Sequence, residues 1–139
     1  MIHTENITAQ ISVSADIEKV WNYWTKPEHI VKWNLPFDGW RCPKAENDIA
    51  PGGLFNFRME SLDRKEGFDF KGTYDKIVPF EYIESTQDDG RRSVIVFSRT
   101  DNCTVVCETF EPEERTDIIL QEKFCQSVLN RFKTYTEKH

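Results

Sequence analysis

The stretch "GFDFKGTYDKIVP", residues 67–79, predicts a β-strand whose two faces differ in polarity. Phe68, Phe70, Gly72 and Tyr74 alternate with polar and charged residues, which is the two-residue period of a strand buried on one side. A glycine within such a row weakens a strand unless a bend or a close approach needs the space. We therefore expect Gly72 to lie where a curved sheet bends most strongly.

The segments at the start of the chain predict one strand and two short helices. "NITAQISVSA" alternates apolar and polar residues as a half-buried strand does. "ADIEKVWNYW" places apolar residues at helical spacing, and Ser14 or Asp16 can cap this helix. "TKPE", from Thr25 to Glu28, is a capping-box pattern with a proline in the first turn, so a second short helix is expected to follow.

The middle of the chain predicts a loop and then an antiparallel meander. Residues 34–43 contain two prolines and a glycine and should form a loop that carries Phe37 and Trp40. "LFNFRME" repeats the one-sided aromatic pattern, and "EYIEST", "RSVIVFS" and "CTVVCETF" predict further strands. The turn signals "PGG", "DRKEG" and "DDG" separate these segments.

Residues 116–138 predict one long amphipathic helix, capped by Thr116 or Asp117. The predicted inner face of this helix consists of Ile118, Gln121, Cys125, Val128, Phe132 and Tyr135. The whole order predicts an α+β fold in which the last helix covers one face of the sheet. The side chains in the middle of the helix are too small to fill the space beside a curved aromatic sheet. We therefore expect a mainly apolar cavity between the helix and the sheet.

Composition excludes several classes of protein. The 139 residues fit one domain, and 18 basic against 24 acidic residues give a net charge of −6, which disfavours nucleic acid as a partner. The start "MIHTENITAQ" lacks the features of a signal peptide, and no stretch is apolar enough to span a membrane, so a cytoplasmic protein is expected. The four cysteines contain no Cys-x-x-Cys pair and predict free thiols, without a metal or cofactor.

Four segments resemble a known family: "VWNYWTKPEHIVKWN", "AENDIAPGGLFNFRME", "GFDFKGTYDKI" and "TVVCETFEPE". They are similar to the activator-of-heat-shock-protein-90-ATPase homologue 1-like proteins, within the START/Bet v 1-like helix-grip (SRPBCC) superfamily. The resemblance implies a curved antiparallel sheet that grips the C-terminal helix around an apolar cavity, in a single domain over residues 1–139. Many relatives carry Gly-Trp where this chain has Phe124 and Cys125, which implies a wider cavity at that end.

The candidate ligand contacts are the large inner side chains of this fold together with a few polar groups. Each aromatic member is first of all a core residue, but their excess favours a pocket for a flat or polycyclic molecule. The predicted set is Trp24, Trp33, Trp40, Phe55, Phe57, Met59, Phe70, Tyr74, Phe97, Glu108, Cys125, Val128 and Phe132.

Glu108 is the sharpest polar candidate, and two orientations are open. If it shares an inner face with Val106 and Phe110, burial should raise its pKa, and it could orient a ligand or exchange a proton. If Val105 and Cys107 form the inner face instead, Glu108 lies on the surface. His29 is expected to be solvated rather than to act as an acid or base.

The sequence is compatible with three functions. The first is a non-enzymatic protein that binds a small hydrophobic molecule, whether lipid-like, aromatic or polyketide. The second, implied by the resemblance alone, is a regulator that stimulates a heat-shock-protein-90-type ATPase. The third is a cyclase- or hydrolase-type enzyme that uses Glu108, although no catalytic triad, phosphate loop or metal signature supports it. A homodimer through an exposed strand edge or the loop of Phe37 and Trp40 is left open.

Overall fold

The computed structural model describes residues 6–139; the first five residues, with His3 and part of the segment tested for a signal peptide, lie outside it. Ten elements follow one another along the chain. They are β1 (Ile7–Val13), α1 (Ile17–Thr25), α2 (Pro27–Trp33), β2 (Trp40–Asn47), β3 (Leu54–Ser61), β4 (Gly67–Val78), β5 (Tyr82–Gln87), β6 (Arg92–Thr100), β7 (Cys103–Phe110) and α3 (Ile118–Lys138).

The strands form one antiparallel sheet in the order β1-β7-β6-β5-β4-β3-β2. Each strand after β2 pairs with its predecessor in the chain, whereas β1 pairs with the last strand, β7. The sheet carries α3 and the two short helices on its inner, concave face, which confirms the predicted fold class. None of the helices described here is long and apolar enough to cross a membrane.

Helix α3 lies along the edge strand β1. The Gln126 side chain donates to the carbonyl oxygen of Gln10 at 3.0 Å, and the Lys133 amino group donates to that of Ser12 at 2.6 Å. These bonds occupy backbone acceptors that an edge strand otherwise presents to other chains. The edge at β1 is therefore covered, and α3 is fixed beside it.

The inner face of α3 differs at its first turn from the prediction. The buried positions are Gln121, Cys125, Leu129, Phe132 and Thr136, whereas Ile118 is 42% exposed. The Gln121 amide donates to backbone oxygens of the preceding loop at 2.8 and 2.9 Å. Because that loop lies on the inner side of the first turn of α3, the apolar side chains of this turn are left in solvent.

The start of α2 was also predicted wrongly. Thr25 caps nothing, because its hydroxyl group donates back to the carbonyl oxygen of Trp21 at 2.8 Å and thereby closes α1. Lys26 is the N-cap of α2 and provides no side-chain hydrogen bond. At α1 the expectation holds, since the Asp16 carboxylate accepts from the Lys19 backbone N–H at 2.8 Å.

Strand β2 was missed, because residues 40–43 were assigned to a loop. The strand begins at Trp40, and its register with β3 shifts between Arg41 and Lys44. Pro43 lies in this irregular step, where its missing N–H leaves no gap in the ladder. Proline signals of this kind are therefore compatible with a bulged edge strand as well as with a loop.

Gly72 lies at a point where neighbouring parts of the chain come very close. It faces Phe55 across the β3–β4 pair, and the register between β4 and β5 shifts just beyond it, after Tyr74. A Cβ atom at this position would collide with the carbonyl oxygen of Thr86 and lie 2.8 Å from the Phe55 ring. The space beside Gly72 is therefore occupied by the protein itself, so a close approach of neighbouring segments requires the glycine.

We expect Gly72→Ala to lower the free energy of unfolding by about 1–3 kcal/mol, because backbone atoms of β5 must move to admit the methyl group. Urea unfolding followed by circular dichroism measures this change. Thr73→Ala, on the opposite face of the same strand, is the matched control. Equal stability of the two variants would contradict the close approach described for Gly72.

Candidate functional site

Glu108 lies on the inner face of the sheet. Its neighbours in register are Ala9 on β1 and Ile95 on β6, both of which are buried. Val106 and Thr104, on the same face of β7, are fully buried. Of the two orientations left open by the sequence, the inward one is therefore correct.

The carboxyl group of Glu108 meets a thiol of α3. The Cys125 sulfur lies 3.4 Å from Glu108 Oε1, and Cys125 itself is only 7% exposed. Burial raises the pKa of Glu108, and burial together with the nearby carboxylate raises the pKa of the Cys125 thiol. Among the described side chains no cation pairs with Glu108, so the neutral forms of both groups are favoured.

Glu108 nevertheless keeps part of its surface accessible. This accessibility belongs to the residue as a whole, because its carboxyl group is desolvated and lies against Cys125. Two serine hydroxyls, Ser85 and Ser93, lie 3.0 Å apart on neighbouring strands of the same inner face. Sequence reasoning missed this pair, although the positions share the parity of Ile83 and Ile95.

Tyr74, on β4 towards the opposite edge of the sheet, belongs to a structural hydrogen-bond network. Its buried hydroxyl donates to Asn47 Oδ1, and the Asn47 amide donates to the carbonyl oxygen of Thr25 at 2.7 Å. Burial raises the pKa of Tyr74. The hydroxyl therefore joins β4, β2 and the end of α1, and its donor is already used.

Four of the predicted contact residues pack against one another beneath the helices. Trp24 and Trp33 each place a ring centroid 4.9 Å from that of Phe132, and Phe97 lies 6.0 Å from Trp24. Trp33, Phe97 and Phe132 are buried, whereas Trp24 retains some exposure. This cluster is packed core, so of the four only Trp24 offers accessible surface.

A second aromatic group lines strands β3 and β4. Phe55 contacts Phe57, Phe70 and Tyr74 at centroid distances of 5.1–5.7 Å, and Phe70 stacks on Phe57. Met59, further along β3, is buried. Phe70 is 36% exposed although it belongs to the inner face, so this part of the face is incompletely covered.

A third group forms a rim beside the start of α3. The Phe37 ring lies 5.2 Å from Phe124 and 6.1 Å from Trp40, which in turn lies 5.8 Å from Phe68. Phe37, Phe68 and Phe124 are exposed. Of these four only Trp40 was predicted as a ligand contact, while Val128 lies half-buried on the next turns of α3.

His29 is not the solvated residue that the sequence suggested. Its ring stacks on Tyr23 with centroids 3.9 Å apart, and Nδ1 lies 2.8 Å from the Tyr135 hydroxyl. Partial burial lowers the pKa of His29. The histidine thus joins α2 to α3.

Thiol and metal chemistry find little support. Cys42, Cys103, Cys107 and Cys125 are free, and burial raises the pKa of Cys42 to about 11. Within residues 6–139 no group of three His, Cys, Asp or Glu side chains could hold a metal ion.

Comparisons with known protein families and solved structures agree with the fold described above. The profile of the Activator of Hsp90 ATPase homolog 1-like protein family matches residues 14–137. The chain belongs to this family. No curated protein matches the sequence at a significant level.

Solved structures resemble the chain over nearly its whole length. A Cytophaga hutchinsonii protein is 44% identical, with a TM-score of 0.84 over 96% of this chain and 92% of that one. The AHSA1-like protein from Aeromonas hydrophila is 30% identical, with a TM-score of 0.87 over 95% and 93%. The Aha1 dimer from Colwellia psychrerythraea, at 18% identity, a TM-score of 0.77 and coverage of 96% and 97%, shares the fold.

We expect Glu108→Gln to stabilise the protein at pH 8 by about 1–3 kcal/mol, the usual cost of an unsatisfied buried polar group. The raised pKa means that the folded state holds its proton to higher pH than the unfolded state. The stability that Glu108 contributes is therefore complete below the unfolded-state pKa, near 4.3, and is lost as pH rises through the folded-state pKa.

Urea unfolding at pH 4 and pH 8 measures the effect. The gain from Glu108→Gln should be present at pH 8 and should shrink towards pH 4. Glu122→Gln, which removes an exposed carboxyl group of α3, is the matched control. A loss of stability at pH 8 would mean that the ionised carboxylate is satisfied in the fold.

Proposed function

We propose that the protein binds a small hydrophobic molecule between the inner face of the sheet and α3. The observation that carries the proposal is Glu108, a partly accessible residue whose carboxyl group is desolvated, next to the small side chain of Cys125. A protein that needed only a sealed core would gain stability from apolar side chains at these two positions.

The chemistry of the ligand follows from its surroundings. The accessible inner surface is apolar and aromatic, with contributions from Trp24, Phe70 and Val128. Burial of apolar ligand area provides the driving force, at about 25 cal/mol per Å² before ordering costs. The neutral carboxyl group of Glu108 can donate to a carbonyl oxygen or accept from a hydroxyl group. An apolar molecule with one such group fits best.

The proposal narrows the residues predicted from sequence. Tyr74 supports the site through Asn47, and the core residues that support it are Trp33, Phe55, Met59, Phe97 and Phe132. The proposed direct contacts are Trp24, Trp40, Phe57, Phe70, Glu108, Cys125 and Val128. Ser85 and Ser93 are added from the structure as secondary polar contacts.

The test is a titration with the fluorescent probe 1-anilinonaphthalene-8-sulfonate, followed by its displacement with fatty acids, flavonoids and polyketides. We expect saturable binding and displacement by at least one class. Cys125→Phe should weaken the binding about tenfold or more, because a ring in place of the thiol fills the space beside Glu108.

Glu122→Phe places the same ring on the exposed side of α3 and should leave the affinity unchanged. Far-ultraviolet circular dichroism shows that each variant is folded. Equal affinity of Cys125→Phe and the unaltered protein would place any binding outside the inner face.

A second candidate function is favoured by a separate surface. The first turn of α3 exposes Ile119 and Leu120 to about 60%, and the exposed Phe37 and Phe124 rings lie beside it. Contiguous exposed apolar surface marks a contact with other molecules. Together with the family's description as activators of an Hsp90 ATPase and with the dimer of the Colwellia psychrerythraea relative, this supports a protein-contact surface for a chaperone or a second copy.

If this surface contacts an Hsp90-type chaperone, an excess of the present protein should raise the ATP turnover of the chaperone. The double variant Ile119→Ser, Leu120→Ser should abolish that increase, because it removes the apolar contact area. Leu54→Ser, at an equally exposed position of β3, is the control. An unchanged turnover rate with the unaltered protein would rule out the regulatory function.

A further inference from the structure

The outer face of the sheet carries a charged depression that the proposed function does not use. It lies where the β3–β4 hairpin meets β2 and has a volume of about 450 Å³. Its lining consists of Arg41, Arg58, Glu60, Arg64, Lys65, Glu66 and Gly67. Four cations and two carboxylates give these seven residues a net charge of +2, although the chain as a whole carries −6. Asp69, just outside the lining, pairs with Arg58 at 3.6 Å.

Glu60 holds two of the arginines in place. Its carboxylate accepts from Arg41 Nη2 at 2.9 Å and from Arg58 Nε at 3.2 Å, and these bonds lower its pKa. Each guanidinium group has five N–H donors, so most of them remain for other acceptors. Arg41 Nε is buried and without an acceptor among the described residues. The cluster therefore has more donors than the protein satisfies.

The hairpin turn that carries the other two cations is held rigidly. The Ser61 hydroxyl donates to Asp63 at 2.6 Å and accepts from the Glu66 backbone N–H at 3.1 Å. Arg64 adopts a left-handed conformation with φ 63°, which is uncommon for a residue other than glycine. Arg64 and Lys65 form no ion pair within the described part of the chain.

Gly67 keeps the depression open. A Cβ atom there would lie 2.5 Å from Arg58 Nη2 and 3.1 Å from its Cζ. Any larger residue would push the guanidinium group away from Glu60. The pair of oriented arginines thus depends on the glycine that ends the turn.

We propose that this depression binds a small dianion of the phosphate monoester class. A phosphate monoester is largely dianionic at pH 8 and neutralises the net charge of +2, and its oxygens suit planar guanidinium forks. The four cations of the lining attract a dianion more strongly than a monoanion, because the Coulomb energy grows with the charge of the ligand. The net acidic chain and the small basic area argue against a nucleic-acid backbone as the occupant.

The test is a titration of the ¹⁵N-labelled protein with phenyl phosphate, and separately with phenyl sulfate, at pH 8 and constant ionic strength. We expect saturable shifts of the backbone amide signals from residues 58–67 with phenyl phosphate, and affinity at least about tenfold lower for the monoanionic sulfate. Equal affinity for both anions would overturn the assignment of a dianion site.

Two variants locate the binding. Arg64→Ala and Lys65→Ala each remove an exposed cation of the turn and should weaken phenyl phosphate binding several-fold, while the exposed Arg99 of β6 provides the control Arg99→Ala. Unchanged affinity in the two turn variants, or shifts elsewhere on the protein, would overturn the proposal. Because the depression lies on the outer face, neither variant should affect binding of the hydrophobic probe on the inner face.

Discussion

Helix α3 lies along the edge strand β1, and the rest of the structure depends on that placement. The Gln126 and Lys133 side chains bind backbone carbonyls of β1, and Glu137 accepts from the Ser14 backbone N–H at 2.7 Å just beyond it. The helix therefore covers one end of a seven-stranded curved sheet most closely. Strands β3 and β4 lie towards the far end of the sheet, away from α3, and Phe70 retains accessible surface there.

Two polar groups occupy the region between these ends. Glu108 and Cys125 contact each other from opposite layers, and no cation of residues 6–139 forms an ion pair with Glu108. Such a pair contributes little to folding, because the carboxyl group loses hydration and gains one weak donor. We propose that this placement serves a mainly hydrophobic ligand, because the surroundings of the pair are apolar. Tyr74 differs, since its hydroxyl already binds Asn47.

The sequence predicted which residues face inward where a regular strand or helix period decides it. Alternation along β3 and β4 placed Phe55 and Gly72 on the inner face, and the helical spacing of α3 predicted Gln121, Cys125 and Phe132. Motif resemblance supplied the family. These signals are local in the chain, so no knowledge of distant contacts was needed.

The features that the sequence did not reveal depend on contacts between distant segments. Thr25 fits a capping box, but its hydroxyl satisfies α1 instead. His29 looks like a surface residue until Tyr23 and Tyr135 enclose it. The outer depression draws Arg41 from β2 to a hairpin some twenty residues later, and no spacing rule links them. The inner face of β7 could not be identified from the sequence either, because both of its faces carry apolar residues.

The proposed binding site requires that the Glu108 carboxyl group lies among apolar side chains where a ligand can reach it. The most direct measurement is a pH titration of the Glu108 side-chain carboxyl carbon by ¹³C nuclear magnetic resonance, alone and with saturating hydrophobic probe. We expect a midpoint above the usual value near 4.3, and a further change when the probe is bound. An ordinary midpoint that the probe does not alter would contradict it, because the carboxyl group would then be solvated and remote from the binding site.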